Sequence, residues 1–178
     1  MDFKNNYIIN NNYVNNFINL SDEEKALVLK WRNHESVRYW MYSTHVISKK
    51  EHLEFINNLK SDNKNFYWLV SDMSGNGLGV IYLQNYDMNN RNAYFGIYTN
   101  PERRGKKIGI ILIECLKTIA FKIGNLHTLK LEVLDFNERA IKFYMDVGFQ
   151  REGVLAEFVY RDSKWHDVLI MGAINRDQ

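Results

Sequence analysis

Cysteine and proline are almost absent from this sequence. Its 178 residues include one cysteine, Cys115, and one proline, Pro101. A single cysteine cannot form an intrachain disulfide, so the chain is compatible with a reducing compartment. The five histidines contain no close pair at ligand spacing, so a zinc site of the usual kind cannot be completed. We therefore expect neither a disulfide nor a bound metal.

An excess of charge of one sign is also missing. The 23 basic and 21 acidic residues leave a formal charge of +2, which argues against nucleic-acid or membrane binding by bulk attraction. The longest apolar run, residues 108–121, is interrupted by Glu114 and Lys117 and is too short to span a bilayer. The first residues lack the pattern of a signal peptide. These absences predict a cytoplasmic protein that binds phosphate, if at all, through a local arrangement.

The first half of the chain contains two helix signals and several strand signals. An apolar content of 46% can supply one core, and we expect a single domain over residues 1–178. Capping-box patterns predict one helix from about residue 22 to 33 and another after Ser48. Runs at 66–70, 78–83 and 93–98, separated by turns, predict an antiparallel meander. A weaker alternation predicts one strand within residues 10–19.

The second half alternates helices and strands. Helical spacing over 107–122 predicts a central helix, followed by a strand at 128–133, a helix at 137–147 and strands near 155–161 and 168–174. The strand preceding the central helix and the strand following it should be parallel. We predict an α+β fold with a mixed, mostly antiparallel sheet of six to seven strands and helices on both faces. Cys115 lies in the apolar stripe of the central helix, which favours a buried thiol over an acyl-cysteine nucleophile.

A basic loop leads directly into the central helix. It reads Glu-Arg-Arg-Gly-Lys-Lys-Ile-Gly over residues 102–109. The first N–H groups of a helix have no internal partners, and glycine would let a diphosphate approach them. Taken alone, the loop could equally be a solvated turn.

A second motif follows the strand at 128–133. Asn137 is followed at plus three by Ala140, at plus seven by Tyr144, and at plus eleven and twelve by Gly148 and Phe149. The two motifs, in this order, resemble the signatures of the GNAT superfamily of N-acetyltransferases. The resemblance covers about residues 20 to 175.

The loop matches the pyrophosphate-binding signature of this family at two positions. Arg104 and Gly109 stand at its first and last positions, whereas Lys107 replaces the internal glycine. The resemblance implies an acetyl-CoA-dependent enzyme. It assigns to acetyl-CoA binding Ile97, Tyr98, Arg103, Arg104, Gly105, Lys106, Lys107, Ile108, Gly109, Asn137, Ala140 and Phe143.

The resemblance also implies where the chemistry takes place. In this family the strand at 94–99 often diverges from the strand that follows it, and the acyl-CoA arm enters the gap. A backbone N–H near Ile97 or Tyr98 would polarise the thioester carbonyl, and Gly96 would ease a bulge there. Tyr144 matches the tyrosine that commonly protonates the departing thiolate, although a packed aromatic residue is the alternative.

A base must remove a proton from the acceptor amine. Glu132 is the candidate, because strand alternation sends its side chain to the opposite face from Leu131 and Val133. A solvent-facing carboxylate without a role is the alternative interpretation, and Asp135 is the alternative base. Direct attack of the amine in a ternary complex is the expected mechanism.

The segment from residue 31 to 56 indicates the substrate. It resembles the N-acetyltransferases of pseudaminic acid biosynthesis, which acetylate the 4-amino group of UDP-4-amino-4,6-dideoxy-N-acetyl-β-L-altrosamine, a precursor of a sugar carried by flagellin. Aromatic side chains could enclose uracil and sugar, while basic ones could meet phosphates, although each could instead serve the core or a helix end. The candidate substrate-binding residues are Arg32, Trp40, Met41, Tyr42, His52, Phe55 and Tyr94.

Other functions stay open at this point. A protein N-terminal acetyltransferase of the ribosomal-protein type shares the late motifs, and a noncatalytic acetyl-CoA-binding module is an alternative of another class. The segment 160–167 could make the contacts of a homodimer or form a wall of the substrate site.

Overall fold

A computed structural model describes residues 3–103 and 107–176. Within these ranges the strands are β1 Tyr7–Ile9, β2 Asn12–Asn16, β3 Phe66–Asp72, β4 Gly77–Asp87, β5 Asn92–Thr99, β6 Thr128–Leu134, β7 Gln150–Arg161 and β8 Lys164–Ile174. The α-helices of the same ranges are α1 Asp22–Asn33, α2 Glu35–Arg38, α3 Lys49–Asn58, α4 Ile108–Lys117 and α5 Glu138–Asp146. A 3-10 turn at Phe17–Asn19 precedes α1, and a π-helical turn at Thr118–Ile123 extends α4. The α+β class is confirmed.

The two early helices begin where their capping boxes predict. Ser21 accepts a hydrogen bond from the N–H of Glu24, and the Glu24 carboxylate accepts one from the N–H of Ser21. Ser48 and Glu51 repeat the arrangement at the start of α3. Each box satisfies two N–H groups that a helix start leaves without partners.

The strand predicted within residues 10–19 is confirmed as β2, but its partner β1 was not predicted. The two strands form a hairpin, with Ile9 paired to Asn12. Asn10 and Asn11 have φ values of 48° and 57°, which makes the turn left-handed at both central positions. Asparagine tolerates this conformation, and such turns match the twist of a hairpin.

One mixed sheet carries all of these strands in the order β1-β2-β3-β4-β5-β6-β8-β7, one or two strands more than predicted. The only parallel pair among the described strands joins β5 to β6, on either side of α4, as predicted. It extends over three positions, from Asn92 opposite Thr128 to Tyr94 opposite Lys130. Beyond that point β5 and β6 are not paired, and the strands leave a gap between them.

Helices cover both faces of the sheet, as predicted. The larger core packs α4 and α5 against one face and includes Leu112, Trp68 and Phe149. The second core packs α1 and α3 against the other face. Cys115 is fully buried in the larger core, where burial raises the pKa of its thiol to about 11, so the prediction of a core thiol is confirmed.

None of the helices in the described part of the chain is both long enough and apolar enough to cross a membrane.

Candidate active site

The gap between β5 and β6 is open to both faces of the sheet, and different residues line it on each face. On β6, Leu131 and Val133 are buried in the larger core, while Glu132 between them is exposed on the opposite face, as alternation predicts. On β5, Phe95 and Ile97 belong to the larger core and Tyr98 packs with the second core. The predicted carboxylate therefore lies on the face covered by α1 and α3.

Glu132 is held by a tyrosine from the loop between α2 and α3. The hydroxyl of Tyr42 donates to Oε2 of Glu132 over 2.6 Å. Burial and this hydrogen bond raise the pKa of Tyr42, with Tyr82 and Tyr94 close enough to contribute. The structure thus brings together three residues predicted from the sequence, Glu132, Tyr42 and Tyr94.

Arginines fix the backbone of this loop. Arg32 Nη2 donates to the carbonyl of Ser43 over 3.1 Å, and Arg38 Nη1 donates to the carbonyl of Thr44 over 2.7 Å. From the end of β7, the Arg161 guanidinium donates to the carbonyls of Tyr39 and Met41, the latter over 2.7 Å. We call residues 39–44 the acceptor loop. Three positive charges from three different elements therefore surround it.

The Arg32 side chain has an unused donor. Its Nη1 is buried and has no hydrogen-bond partner among the described residues. Burial lowers its pKa, and the hydroxyls of Tyr98, Tyr82 and Tyr67 lie close enough to oppose that shift. A guanidinium nevertheless keeps its charge at neutral pH. Arg32 is therefore a cation with a free N–H among aromatic side chains.

Tyr144 approaches the gap from the opposite face. It lies on α5, is 9% exposed, and packs edge-to-face on Phe95 and Phe149. Burial raises its pKa, and so does the neighbouring Tyr82 on the other face. Its phenol is therefore protonated at neutral pH and can act as a proton donor.

The start of α4 is built around a left-handed residue. Lys107 has φ 56° and ψ 17°, the conformation that the family's internal glycine would adopt most easily. A Cβ added at Gly109 would lie 3.0 Å from the Phe143 ring, so the missing side chain lets α5 pack against α4. Ile108 is buried beneath them. Arg104, Gly105 and Lys106 lie outside the described residues.

Two other residues assigned to acetyl-CoA have visible partners. The guanidinium of Arg103 lies 3.4 Å from the carboxylate of Asp72, the last residue of β3. Asn137 caps α5 by accepting a hydrogen bond from the N–H of Ala140 over 3.2 Å. Asn137 is therefore the N-cap of α5.

His52 is placed differently from the prediction. It is 6% exposed, and its Nε2 lies 3.0 Å from the carbonyl of Lys25, between α3 and α1. Burial lowers its pKa, so the ring is neutral and holds the two helices together. The structure therefore does not bring it to a phosphate. Phe55, one turn further along α3, is 38% exposed and packs edge-to-face on Tyr67.

The remaining candidates lie on the acceptor loop. Trp40 is 40% exposed and packs on Phe136, whose ring also packs on His166. The main contribution of Met41 is its carbonyl, which binds Arg161. Asp135 is the alternative base. Its Oδ1 lies 3.6 Å from Nδ1 of the same His166.

The hairpin of β7 and β8 lies against the acceptor loop, which is the placement that the substrate-wall interpretation of residues 160–167 requires. Arg161 reaches the acceptor loop, and the hydroxyl of Tyr39 donates to Asp162 over 3.1 Å. A cavity of about 350 Å³ lies between the hairpin and the loop.

Sequence reasoning missed Tyr82, Arg38 and Arg161, and misjudged Gly96. Gly96 pairs with Tyr82 in regular register, and the irregularity between β4 and β5 lies elsewhere, between Gln84 and Asp87. The predicted bulge at Gly96 is therefore wrong. A glycine inside an aromatic strand, Tyr-Phe-Gly-Ile-Tyr, was the available signal, because such a glycine also marks close approach by a neighbour.

Comparison with known proteins agrees with this geometry. A family model described as an acetyltransferase (GNAT) domain matches residues 16–170. The chain belongs to the GNAT acetyltransferases, and the protein is an acyltransferase enzyme of this acetyl-CoA-using family. The predicted family and the predicted acetyltransferase class are confirmed.

Individual relatives indicate two branches of the family. Acetyltransferase PseH of Campylobacter jejuni is 36% identical over 134 residues, which cover 75% of this chain and 82% of the relative. Spermidine N(1)-acetyltransferase of Vibrio cholerae is 31% identical over 136 residues, 76% of this chain and 78% of the relative. The crystal structure of spermidine N-acetyltransferase from Vibrio cholerae in complex with CoA and spermine matches with a TM-score of 0.84 and 25% identity, over 93% of this chain and 96% of that one.

Proposed function

We propose that the protein acetylates the 4-amino group of UDP-4-amino-4,6-dideoxy-N-acetyl-β-L-altrosamine, in pseudaminic acid biosynthesis for flagellin glycosylation, and that it acts in the cytoplasm. Similarity to PseH supports this substrate. The observation that carries the proposal is the guanidinium of Arg32, which has a buried donor without a partner beside the acceptor loop.

The positive charge of Arg32 favours binding of a nucleotide over binding of a polycation. Buried donors are nearly always satisfied, and guanidinium binds phosphate oxygens particularly well. Arg38 and Arg161 add positive charge around the same loop, although Glu35 and Asp162 lie at the edge of the cavity. The potential around Arg32 therefore favours the diphosphate of a sugar nucleotide and disfavours spermidine.

Aromatic rings supply surfaces for the base and the sugar. Trp40 and Tyr42 are 40% and 53% exposed on the acceptor loop, and Phe55 is exposed on α3. Their flat faces suit uracil and the apolar face of a deoxysugar. Because the same loop carries Tyr42 to Glu132, a sugar bound there would bring its amine close to the carboxylate.

The residues around the gap fit acetyl-CoA as co-substrate. Acetyl-CoA supplies the activated acetyl thioester. Beyond Tyr94, the edge of β5 that faces β6 is free of ladder pairing, so its backbone groups can bind the pantetheine amides and the carbonyl. The N-terminus of α4, opened by Lys107, offers unpaired N–H groups to a diphosphate.

The two proton transfers are made by residues on opposite faces of the sheet, Glu132 on one face and Tyr144 on the other. Glu132 accepts a proton from the acceptor amine, and Tyr144 donates one to the sulfur as the carbon–sulfur bond breaks. The protonated state of the buried Tyr144 phenol suits this role. Attack is direct, because the buried Cys115 is not available as a nucleophile.

Polyamine acetylation is the second candidate. It is favoured by the likeness to the spermidine acetyltransferase of Vibrio cholerae and by the exposed carboxylate of Glu132. A polyamine would have to bind next to three arginines, which is why we place it second. A peptide with a free N-terminal amine is the third substrate class. Only its first residue would lie next to the three arginines.

Thiol release from acetyl-CoA, measured with each amine separately, tests the proposal. The panel contains the UDP-4-amino sugar, the same amino sugar without UDP, spermidine and a peptide. We expect turnover of the UDP-sugar and a kcat/KM at least about tenfold lower without UDP. Turnover of spermidine or peptide, with none of the sugar nucleotide, would reject the proposed substrate.

Substitution of Arg32 tests the observation that carries the proposal. Arg32→Gln removes the charge, so the KM for the UDP-sugar should rise about 10- to 100-fold while the KM for acetyl-CoA stays within about twofold. Lys50→Gln removes an exposed cation on α3 and is the matched control. An Arg32→Gln enzyme with an unchanged KM for the UDP-sugar would contradict the phosphate role.

A further inference from the structure

Tyr82 and Gly96 are direct cross-strand partners on β4 and β5. A Cβ added at Gly96 would overlap the phenol oxygen and ring carbons of Tyr82. The Tyr82 ring therefore lies across β5, over the Gly96 backbone, on the face covered by α1 and α3. Its other side stacks on Tyr67 with ring centroids 4.9 Å apart and an interplanar angle of 23°. The ring is thus held from both sides.

This orientation carries the Tyr82 hydroxyl to the gap. The last paired residues of β5 and β6 are Tyr94 and Lys130. Gly96 and Glu132 each lie two residues further along their strands, so they face each other across the opening. Since the Tyr82 ring extends over Gly96, its hydroxyl is directed toward the Glu132 side.

Electrostatic coupling agrees with this placement. Burial raises the pKa of Tyr82, and Glu132 raises it further, whereas Arg32 opposes the rise. Tyr82 in turn raises the pKa of Tyr144, which lies on the other face. Among the described residues, no group forms a hydrogen bond with the Tyr82 hydroxyl. Tyr82 therefore lies between the two groups to which proton transfer is assigned.

The chemistry of amine attack needs a group at this position. A neutral primary amine has one lone pair, which must point at the acetyl carbon, and two N–H bonds. One N–H faces the base. If the other N–H donates a hydrogen bond to a second acceptor, the amino group can no longer rotate. Its lone pair is then held pointing at the acetyl carbon.

We propose that the Tyr82 hydroxyl is a further catalytic group, which accepts a hydrogen bond from the acceptor amine at the gap and aims its lone pair, while Gly96 makes room for the phenol. The inference rests on the proposed function in one respect, that the amine lies between Glu132 and the gap. It does not depend on which amine is the substrate.

The protons balance without a contribution from Tyr82. The nitrogen forms a bond to the acetyl carbon, one proton passes from nitrogen to Glu132, the carbon–sulfur bond breaks, and the sulfur takes a proton from Tyr144. Tyr82 keeps its own proton throughout, and solvent restores the other two groups afterwards.

Tyr82→Phe tests the hydroxyl and leaves the ring in place. The assay uses whichever amine the wild-type protein acetylates best, so a wrong sugar assignment would not affect it. We expect kcat/KM for the amine to fall about tenfold, with the Kd for acetyl-CoA within about twofold of the wild-type value.

Tyr67→Phe is the matched control, because it removes the hydroxyl of the adjacent ring, which accepts a hydrogen bond from Gln84. Its kcat/KM should stay within about twofold of the wild-type value. Equal effects of the two substitutions, or a parallel loss of acetyl-CoA affinity in Tyr82→Phe, would overturn the catalytic role.

Gly96→Ala tests the geometry without any substrate. The methyl group should collide with the Tyr82 ring and lower the melting temperature, and in a Tyr82→Ala background the same change should have little effect. Additive losses of stability in the double variant would show that the phenol does not lie over Gly96 and would overturn the inference.

Discussion

At the scale of single residues, the hydrogen bond between Tyr42 and Glu132 organises the acceptor side of the site. It occupies Oε2 of Glu132 and leaves Oε1 for another donor. Its geometry depends on carbonyls of the acceptor loop that are bound by guanidinium groups, among them that of Arg161. The orientation of one carboxylate is therefore set by residues distant in sequence.

Tyr144→Phe should remove the proton donor while keeping the packing against Phe95 and Phe149. We expect kcat to fall about 10²- to 10³-fold, since general acid catalysis contributes about that much, with the KM for acetyl-CoA nearly unchanged. Steady-state kinetics measures both constants. Tyr13→Phe, on β2, is the control for loss of a phenol hydroxyl away from the gap. Wild-type turnover by Tyr144→Phe would contradict the assignment.

His52 should make stability depend on pH. Burial lowers its folded-state pKa below the ordinary value of 6.5, so the unfolded chain binds a proton first as the pH falls. This contribution to stability is complete above pH 6.5 and decreases below it, toward the folded-state pKa. The melting temperature should therefore be lower at pH 5.5 than at pH 7.5.

His52→Gln is the control for this effect, because glutamine can still donate to the carbonyl of Lys25 but does not titrate in this range. The difference in melting temperature between the two pH values should shrink in the variant. An equal difference in variant and wild type would assign the dependence to other groups.

At the scale of elements, the left-handed start of α4 invites a direct test. Lys107 holds φ 56° without a side-chain cap, a conformation that costs a non-glycine residue about 1 kcal/mol. Lys107→Gly should therefore raise the free energy of unfolding by up to about 1 kcal/mol, and Lys107→Val should lower it. Denaturant titration of both variants measures the difference. A less stable glycine variant would contradict the observed backbone conformation.

Elements marked by local chemistry were predictable from the sequence. The capping boxes at Ser21 and Ser48 locate two helices, and the apolar spacing around Cys115 locates the third. The hairpin turn at Asn10 and Asn11 was missed because two adjacent asparagines fit a polar strand as well as a turn.

Contacts between distant elements were not predictable. Arg161 on β7 binds the carbonyl of Met41, 120 residues earlier in the chain, and no spacing in the sequence encodes that encounter. His52 was interpreted as a phosphate ligand because side-chain type cannot show burial. Glu132 was predictable, since alternation along a single strand fixes its face.

At the scale of the whole molecule, a net charge of +2 conceals an uneven distribution. Arg32, Arg38 and Arg161 converge on the acceptor loop, whereas exposed ion pairs such as Lys142 with Asp146 neutralise charge elsewhere. The electrostatic field at a site depends on the charges close to it and not on the net charge of the protein. We therefore expect the acceptor loop, and not the fold shared with the spermidine enzymes, to determine the choice of substrate.

Competition between substrates in one reaction is the sharpest test of which amine the enzyme acetylates. Equal concentrations of the UDP-4-amino sugar, spermidine and a peptide are incubated with limiting acetyl-CoA, and the products are quantified by mass spectrometry. We expect the UDP-sugar to carry nearly all of the transferred acetyl groups, as a product heavier by one acetyl group at the 4-amino position. Acetylspermidine or acetylated peptide as the main product would contradict the proposed substrate.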